Sequence, residues 1–151
     1  MTRWPLIGFG AVLLLASCAS PQPASFGSEQ DVVAALSGAG FTCTDPEILA
    51  QAEDETFSVV DCDRFAVDLI PDMSAWEAEL IADCQTLDSP DQREVLNEIV
   101  VITGPGWLIR SRDYSEVQQW QPGAEPGDFV AAFGGTEETL GAVCERLGGW
   151  E

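Results

Sequence analysis

Carboxylates are the groups with which this sequence can most readily do chemistry. Asp61 and Asp63 flank Cys62, and more acids stand nearby in the sequence at Asp45, Glu47, Glu53, Asp54 and Glu55. A Ca²⁺ site needs six to eight converging oxygens, and these residues lack the Asp-x-Asp-x-Asp-Gly spacing of a calcium-binding loop. The same acids would serve as the carboxylate pair of a glycosidase. A solvated acidic surface explains them more simply, so we predict neither a metal site nor a catalytic residue.

Two arginines are the second group of chemical interest. Arg110 and Arg112 alternate on one predicted strand and therefore point to the same face. They can clamp an anionic ligand or, as we expect by default, pair with acids on a neighbouring strand. Trp107 begins this strand and Trp120 follows it; core packing is the favoured role for Trp107. The arginine face, with Trp107 or Trp120 near it, is the predicted partner-binding surface.

The residue types that are missing exclude several mechanisms. The chain has no histidine and no lysine. Ser-His and Cys-His nucleophile pairs, histidine-bound metals, Schiff bases and phosphate-loop lysines are therefore excluded. No Gly-rich phosphate motif and no Cys-x-x-Cys pair occurs. We predict no cofactor.

The N-terminus has the three parts of an export signal. Arg3 supplies positive charge, residues 5–15 are apolar, and Ala16 and Ser17 are small. The apolar run is too short to span a bilayer as a helix. Leu15-Ala16-Ser17-Cys18 resembles the lipobox of bacterial lipoproteins, which implies cleavage before Cys18 and acylation of its sulfur. Two or more acyl chains anchor a protein stably.

That resemblance implies a location on the extracytoplasmic face of the cell membrane or outer membrane. An ordinary secreted protein with a chance cysteine is the alternative. We expect residues 1–17 to be a lipoprotein signal peptide, residues 18–29 a flexible tether rich in Ser, Pro, Ala and Gln, and residues 30–151 a single α+β domain.

The other four cysteines indicate disulfides. Cys43, Cys62, Cys84 and Cys144 allow three pairings, and an even number in an exported chain favours two bridges. We favour Cys43–Cys62, between two predicted strands, and Cys84–Cys144, between two predicted helices. Free buried thiols are the alternative for Cys84 and Cys144.

The charge is strongly acidic, with 26 Asp and Glu residues, six arginines and a formal net charge of −20. Such a surface repels nucleic acid and anionic lipid, and it favours cations or a basic partner. Solubility alone is the simpler explanation. We therefore expect no nucleic-acid partner.

The hydrophobic pattern and the capping residues predict the helices and strands of the folded part. A helix begins at Ser28 and ends near Gly38 or Gly40, a strand covers residues 41–44, and Pro46 starts a short helix. FSVVDC and FAVDLI form a hairpin. A helix follows with Ser74 and Glu77 as a capping box.

The second half of the chain begins with a loop or short helix over residues 89–97. EIVVIT and GWLIRSR form a second hairpin around Gly104-Pro105-Gly106, and TEETLGAVCERLGG forms the closing helix. This order predicts an α+β fold with a mainly antiparallel sheet of about four strands, helices packed on one face, and disulfides bracing it.

The folded part also resembles a second family. A helix before GFTC at residues 40–43, a later Asp61-Cys62 leading into a strand, VVITGPGWLI at residues 100–109 and a closing LGG resemble small uncharacterised lipoproteins of actinobacteria. The resemblance covers most of residues 30–149. It implies an envelope location and a Cys43–Cys62 bridge, and it carries no activity and no binding residues. Cys84 and Cys144 are not part of its pattern.

These features together predict a lipid-anchored envelope protein with a non-enzymatic binding or interaction domain. Its partners would be the membrane, through the anchor, and an unknown envelope protein or ligand. The alternative is a small carboxylate-dependent enzyme acting on a cell-envelope polymer. Two convergent acids in a cleft beside exposed tryptophans would favour that enzyme.

Overall fold

The structure is a computed structural model that describes residues 22–50, 56–87, 89–112 and 119–150. The predicted signal peptide and Cys18 lie outside these residues. Six strands are formed, β1 to β6 in chain order: Glu47–Leu49, Ser58–Asp61, Phe65–Leu69, Val100–Gly104, Trp107–Ser111 and Thr136–Thr139. Five helices, α1 to α5, accompany them: Glu29–Ala39, Met73–Gln85, Pro90–Glu98, Pro126–Phe133 and Leu140–Arg146.

The strands form one antiparallel sheet in the order β1-β2-β3-β5-β4-β6. The two predicted hairpins supply its four central strands, β2 with β3 and β4 with β5. The expected α+β class with an antiparallel sheet is confirmed, but the described residues hold six strands rather than about four. The two additional strands are the short edges β1 and β6.

Both edge strands were predicted as helix. β1 replaces the short helix expected after Pro46, and its three residues are all exposed, so no alternating apolar pattern marks it. β6 replaces the first turn of the closing helix, which begins only at Leu140. The Thr139 hydroxyl caps that helix by accepting a hydrogen bond from the Ala142 N–H at 3.1 Å. The strand expected over residues 41–44 does not form.

Helices cover both faces of the sheet, so the prediction of helices on one face is wrong. The register places Val67 opposite Ile109, and Ile109 opposite Ile102. These residues form one core cluster with side chains of α1 and α4. Leu108 and Val101 belong to a second cluster, with side chains of α2, α3 and α5. Because successive strand residues point to opposite faces, the two clusters lie on opposite sides of the sheet.

The helix ends follow their sequence signals in part. Ser28 caps α1, and Gly40 ends it in the left-handed conformation at φ 85°, as predicted. The predicted capping box of Ser74 and Glu77 is wrong, because the cap of α2 is Asp72. The Asp72 carboxylate accepts a hydrogen bond from the Ala75 N–H at 3.1 Å.

The segment before α1 is built into the core. The Ala24 N–H donates to the Phe133 carbonyl at 2.7 Å, and the Trp107 indole N–H donates to the Ala24 carbonyl at 2.8 Å. The Phe26 ring packs 5.7 Å from both Trp107 and Phe133, measured between ring centroids. The predicted flexible tether of residues 18–29 is therefore too long at its C-terminal end. Part of it, residues 18–21, lies outside the described residues.

Both favoured disulfides are present. Cys43–Cys62 joins the segment after α1 to the end of β2, with Cα atoms 5.0 Å apart. Cys84–Cys144 joins α2 to α5 on the second face of the sheet, with Cα atoms 5.9 Å apart. One bridge thus ties the chain after α1 to the sheet, and the other joins two helices of the second face.

Removing the disulfides one at a time should affect stability unequally. Cys84–Cys144 spans 60 residues and Cys43–Cys62 spans 19. Loop-closure entropy assigns them about 4 and about 3 kcal/mol respectively. We expect the Cys84→Ala, Cys144→Ala double variant to lose more free energy of unfolding in urea than the Cys43→Ala, Cys62→Ala variant. The reverse order would show that native packing around the first bridge outweighs chain entropy.

Candidate binding surfaces

The predicted partner-binding residues do not share one surface. Trp107 is fully buried, at 0% exposure, in the cluster that also contains Ile109. Trp120 is partly buried against the same cluster, with its ring 6.0 Å from that of Phe129. Trp107 and Arg110 are three positions apart along β5, so strand alternation already places them on opposite faces. This separation of Trp107 from the arginines could therefore have been predicted from the sequence.

Arg110 pairs with an acid on the neighbouring strand β3, and Arg112 reaches across β3 to an acid on β2. Arg110 Nε lies 2.8 Å from Asp68 Oδ2, and the two side chains are only 17% and 10% exposed. Arg112 Nη2 lies 3.2 Å from Asp61 Oδ2, and Arg112 is 54% exposed. Arg110 is therefore largely committed within the sheet, whereas Arg112 keeps an exposed guanidinium.

Asp68 is a buried acid of this face. Burial raises its pKa above the usual value, and the nearby charge of Asp61 adds to the increase. The hydrogen bond and positive charge of Arg110 act in the opposite direction. Asp68 Oδ1 and Asp61 Oδ1 are buried and accept no hydrogen bond within the described part of the chain. The group is a structural ion pair in which Arg110 compensates a buried carboxylate.

A polar cavity opens at the end of the sheet where Arg112 emerges. It has a volume of about 330 Å³ and is lined by Asp63, Arg64, Arg112 and Gln119. Arg64 Nη1 donates to Gln119 Oε1 at 3.4 Å. Two of the chain's six arginines thus border one small cavity. Arg64 and Gln119 were not singled out from the sequence, because they lie in connections rather than in a periodic element.

A larger cleft lies at the opposite end of the sheet, with a volume of about 550 Å³. Pro23, Met73, Trp76 and Pro105 supply its apolar lining. Met73 and Trp76 begin α2 and also pack against the second core cluster. Pro105 lies in the turn between β4 and β5, so segments far apart in the sequence meet here.

The polar lining of this cleft consists mainly of Glu77, Glu138 and Arg146. Glu138 Oε1 accepts hydrogen bonds from Thr103 Oγ1 at 2.6 Å and from Arg146 Nη2 at 3.0 Å. Glu138 Oε2 accepts one from Arg146 Nε at 3.4 Å. Glu138 is only 13% exposed, while Arg146 is 53% exposed. The carboxylate therefore orients an arginine that still faces the cleft.

The enzyme alternative would be favoured by two acids in a cleft beside a tryptophan. The cleft is lined by two acids, Glu77 and Glu138, and by Trp76. Both oxygens of Glu138, however, already accept hydrogen bonds from Thr103 or Arg146. A general acid needs a proton that it can transfer to substrate. The geometry of Glu138 suits an anchor for Arg146 better than a proton donor.

The described residues contain no group of three or more acids or cysteines placed to hold a metal ion. Asp61 is paired with Arg112, and Asp63 lies at the polar cavity. Among the same residues, no helix is both long and apolar enough to cross a bilayer.

Comparison with known proteins gives no relative: no protein family, no curated protein and no solved structure matches the chain. Function is therefore argued from the surfaces above.

Because Asp68 and Arg110 are buried together, we expect the Arg110→Met variant to lose stability to an extent that depends on pH. Arg110→Met leaves Asp68 buried without its guanidinium, which costs about 3 kcal/mol at pH 7 when the carboxylate is ionised. Loss of Arg110 raises the pKa of Asp68 further, so the folded state binds the proton more tightly than the unfolded state. The destabilisation should therefore shrink as pH falls from 7 toward 5.

Urea unfolding at both pH values measures this effect. Arg112→Met is the matched control, because the Arg112 guanidinium is half exposed and solvent screens its ion pair to about 1 kcal/mol or less. An Arg110→Met loss that is the same at pH 7 and pH 5 would contradict the assignment of Asp68 as the titrating group.

Proposed function

We propose that this protein is a lipid-anchored, extracytoplasmic envelope protein whose folded domain acts by binding a partner rather than by catalysis. One observation carries the proposal. Four of the five cysteines form two disulfides, and the remaining one, Cys18, stands in the lipobox-like sequence. Disulfides are compatible with an extracytoplasmic location, because the cytosol keeps thiols reduced. Cys18 is then the cysteine left for acylation.

The polar cavity at the Arg112 end is the surface proposed for partner binding. Arg64 and Arg112 border it, and Arg112 keeps more than half of its side chain exposed. Arginine contributes strongly to binding when it is buried on contact, and its planar fork binds carboxylates in a bidentate manner. The chain carries a net charge of −20, but two arginines lie together at this end. They give it a local site for the acidic groups of a partner.

The second candidate function is a carboxylate-dependent enzyme acting on an envelope polymer. The observation that favours it is the cleft in which Glu77 and Glu138 lie near Trp76. Turnover of a peptidoglycan or glycan substrate that Glu77→Gln abolishes would establish this enzyme instead of the binding domain.

Lipidation is tested by detergent phase separation of the exported protein. The wild type should enter the detergent phase, since two or more acyl chains bind membranes stably. Cys18→Ala should remain uncleaved or move to the aqueous phase. An uncleaved, unmodified wild type that partitions like the variant would remove the basis of the proposal.

Partner binding is tested by crosslinking in native membranes. Arg64→Glu with Arg112→Glu should reduce capture of a specific envelope partner by about tenfold or more, because each reversed charge loses charge-assisted hydrogen bonds. Arg146→Gln is the control, since Arg146 is equally exposed but lies at the other end of the sheet. Equal capture by the wild type and the double variant, both with unchanged melting temperature, would assign the partner to another surface.

A further inference from the structure

The fixed start of the domain lies close in sequence to the proposed anchor. Ala24 is held on both sides, by the Phe133 carbonyl and by the Trp107 indole. Only six peptide units separate Cys18 from Ala24. Six residues span at most about 22 Å even when fully extended. If Cys18 is acylated, as the proposed function requires, Ala24 stays within that distance of the bilayer surface.

This distance is shorter than the domain is wide. A domain of this length has a radius of gyration of about 14 Å and hence a diameter of about 35 Å. Turning the far end of the domain onto the membrane would place Ala24 farther from the bilayer than the chain can reach. The far end of the domain therefore cannot rest on the bilayer, and the end that carries Ala24 stays within reach of the lipid headgroups.

The two candidate surfaces lie at opposite ends of the sheet, and only one of these ends carries Ala24. Trp107, which holds Ala24, begins β5, and Arg112 follows its last residue, about 17 Å away along the strand. The large cleft is at the Ala24 end, because Pro23 and Pro105 both line it. The chain thus leaves the domain at the rim of the cleft, while the polar cavity lies at the end farther from the proposed anchor.

We propose that the cleft binds the zwitterionic headgroup of a membrane phospholipid, a phosphate followed by an ammonium group. Arg146 binds the phosphate. Its Nε and Nη2 contact Glu138, but a guanidinium has five donors, and the side chain is half exposed. Glu77 accepts hydrogen bonds from the ammonium group. Trp76 offers its ring to the cation and its apolar body to the lipid interface.

Charge determines which headgroup fits. The cleft offers one guanidinium and the carboxylate of Glu77 that is not paired with it, which matches a ligand carrying both signs. A net charge of −20 disfavours anionic headgroups. Weak intrinsic affinity is enough, because the anchor holds the cleft at a high effective concentration of headgroups.

The experiment uses the full lipidated protein in vesicles. Phosphatidylethanolamine–phosphatidylcholine vesicles contain a trace of lipid with a nitroxide on its headgroup, and tryptophan fluorescence reports quenching. We expect quenching that disappears in Trp76→Phe and persists in Trp120→Phe. Replacing phosphatidylethanolamine and phosphatidylcholine by phosphatidylglycerol should reduce it several-fold.

Two variants test the headgroup contacts. Arg146→Gln and Glu77→Gln should each weaken Trp76 quenching by about tenfold in apparent affinity. Arg112→Gln, which removes an equally exposed arginine at the far end, should leave it unchanged. The melting temperature of each variant checks the fold, and Glu77→Gln serves alone if Arg146→Gln does not fold.

The outcomes separate this inference from the proposed function. Mass spectrometry first establishes acylation of Cys18; an unacylated protein overturns both proposals. An acylated protein without Trp76 quenching, or with quenching that is equal in phosphatidylglycerol or unaffected by both variants, overturns the headgroup site alone. Protection of Trp76 through a dimer seen in sedimentation would assign the cleft to a second copy and overturn it as well.

Discussion

The pairing of β3 with β5 is the interaction on which the rest of the structure depends. It lies at the centre of the sheet and is covered on both faces, so its side chains are apolar apart from Asp68, Arg110 and the buried Ser111. Val67 and Ile109 supply apolar side chains on the first face. On the second face Asp68 and Arg110 are buried together, and each is tolerated because the other is present. The same register directs Trp107 into the first core, where its indole holds the start of the domain.

Most elements with a strong local pattern were predictable from the sequence. The two hairpins, α1 and the body of α2 follow from hydrophobic period and capping residues. β1, β6 and α4 were not predicted, because three- and four-residue edge strands carry no alternation and α4 is a two-turn helix between loops. The helical layer on the first face was missed with α4, since Phe129 and Phe133 cover that face beside α1. Both bridges could be favoured from the sequence, because four cysteines, an even number, remain in a chain predicted to be exported.

The candidate surfaces were predictable only in part. Alternation along β5 correctly placed Arg110 and Arg112 on one face. The expected pairing with an acid on a neighbouring strand is present for Arg110, whereas Arg112 pairs with Asp61 two strands away. The cleft was not predictable. Its lining comes from the N-terminal segment, α2, the β4–β5 turn and α5, and only the sheet order brings these together. The hydrogen bonds of Ala24 were equally hidden, because residues 21–25 have the composition of a linker.

The two disulfides have a mechanical consequence when the chain is pulled from its ends. A force applied between the N-terminal segment and the C-terminus first meets the Ala24 hydrogen bonds and the Phe26 ring, not an edge strand. After those contacts yield, the residues enclosed by Cys43–Cys62 and by Cys84–Cys144 cannot extend. β4, β5, β6, α3 and α4 all lie within the second loop. Half of the sheet thus lies outside the path of the force, and stretching the chain from its two ends would lengthen it far less than its residue count suggests.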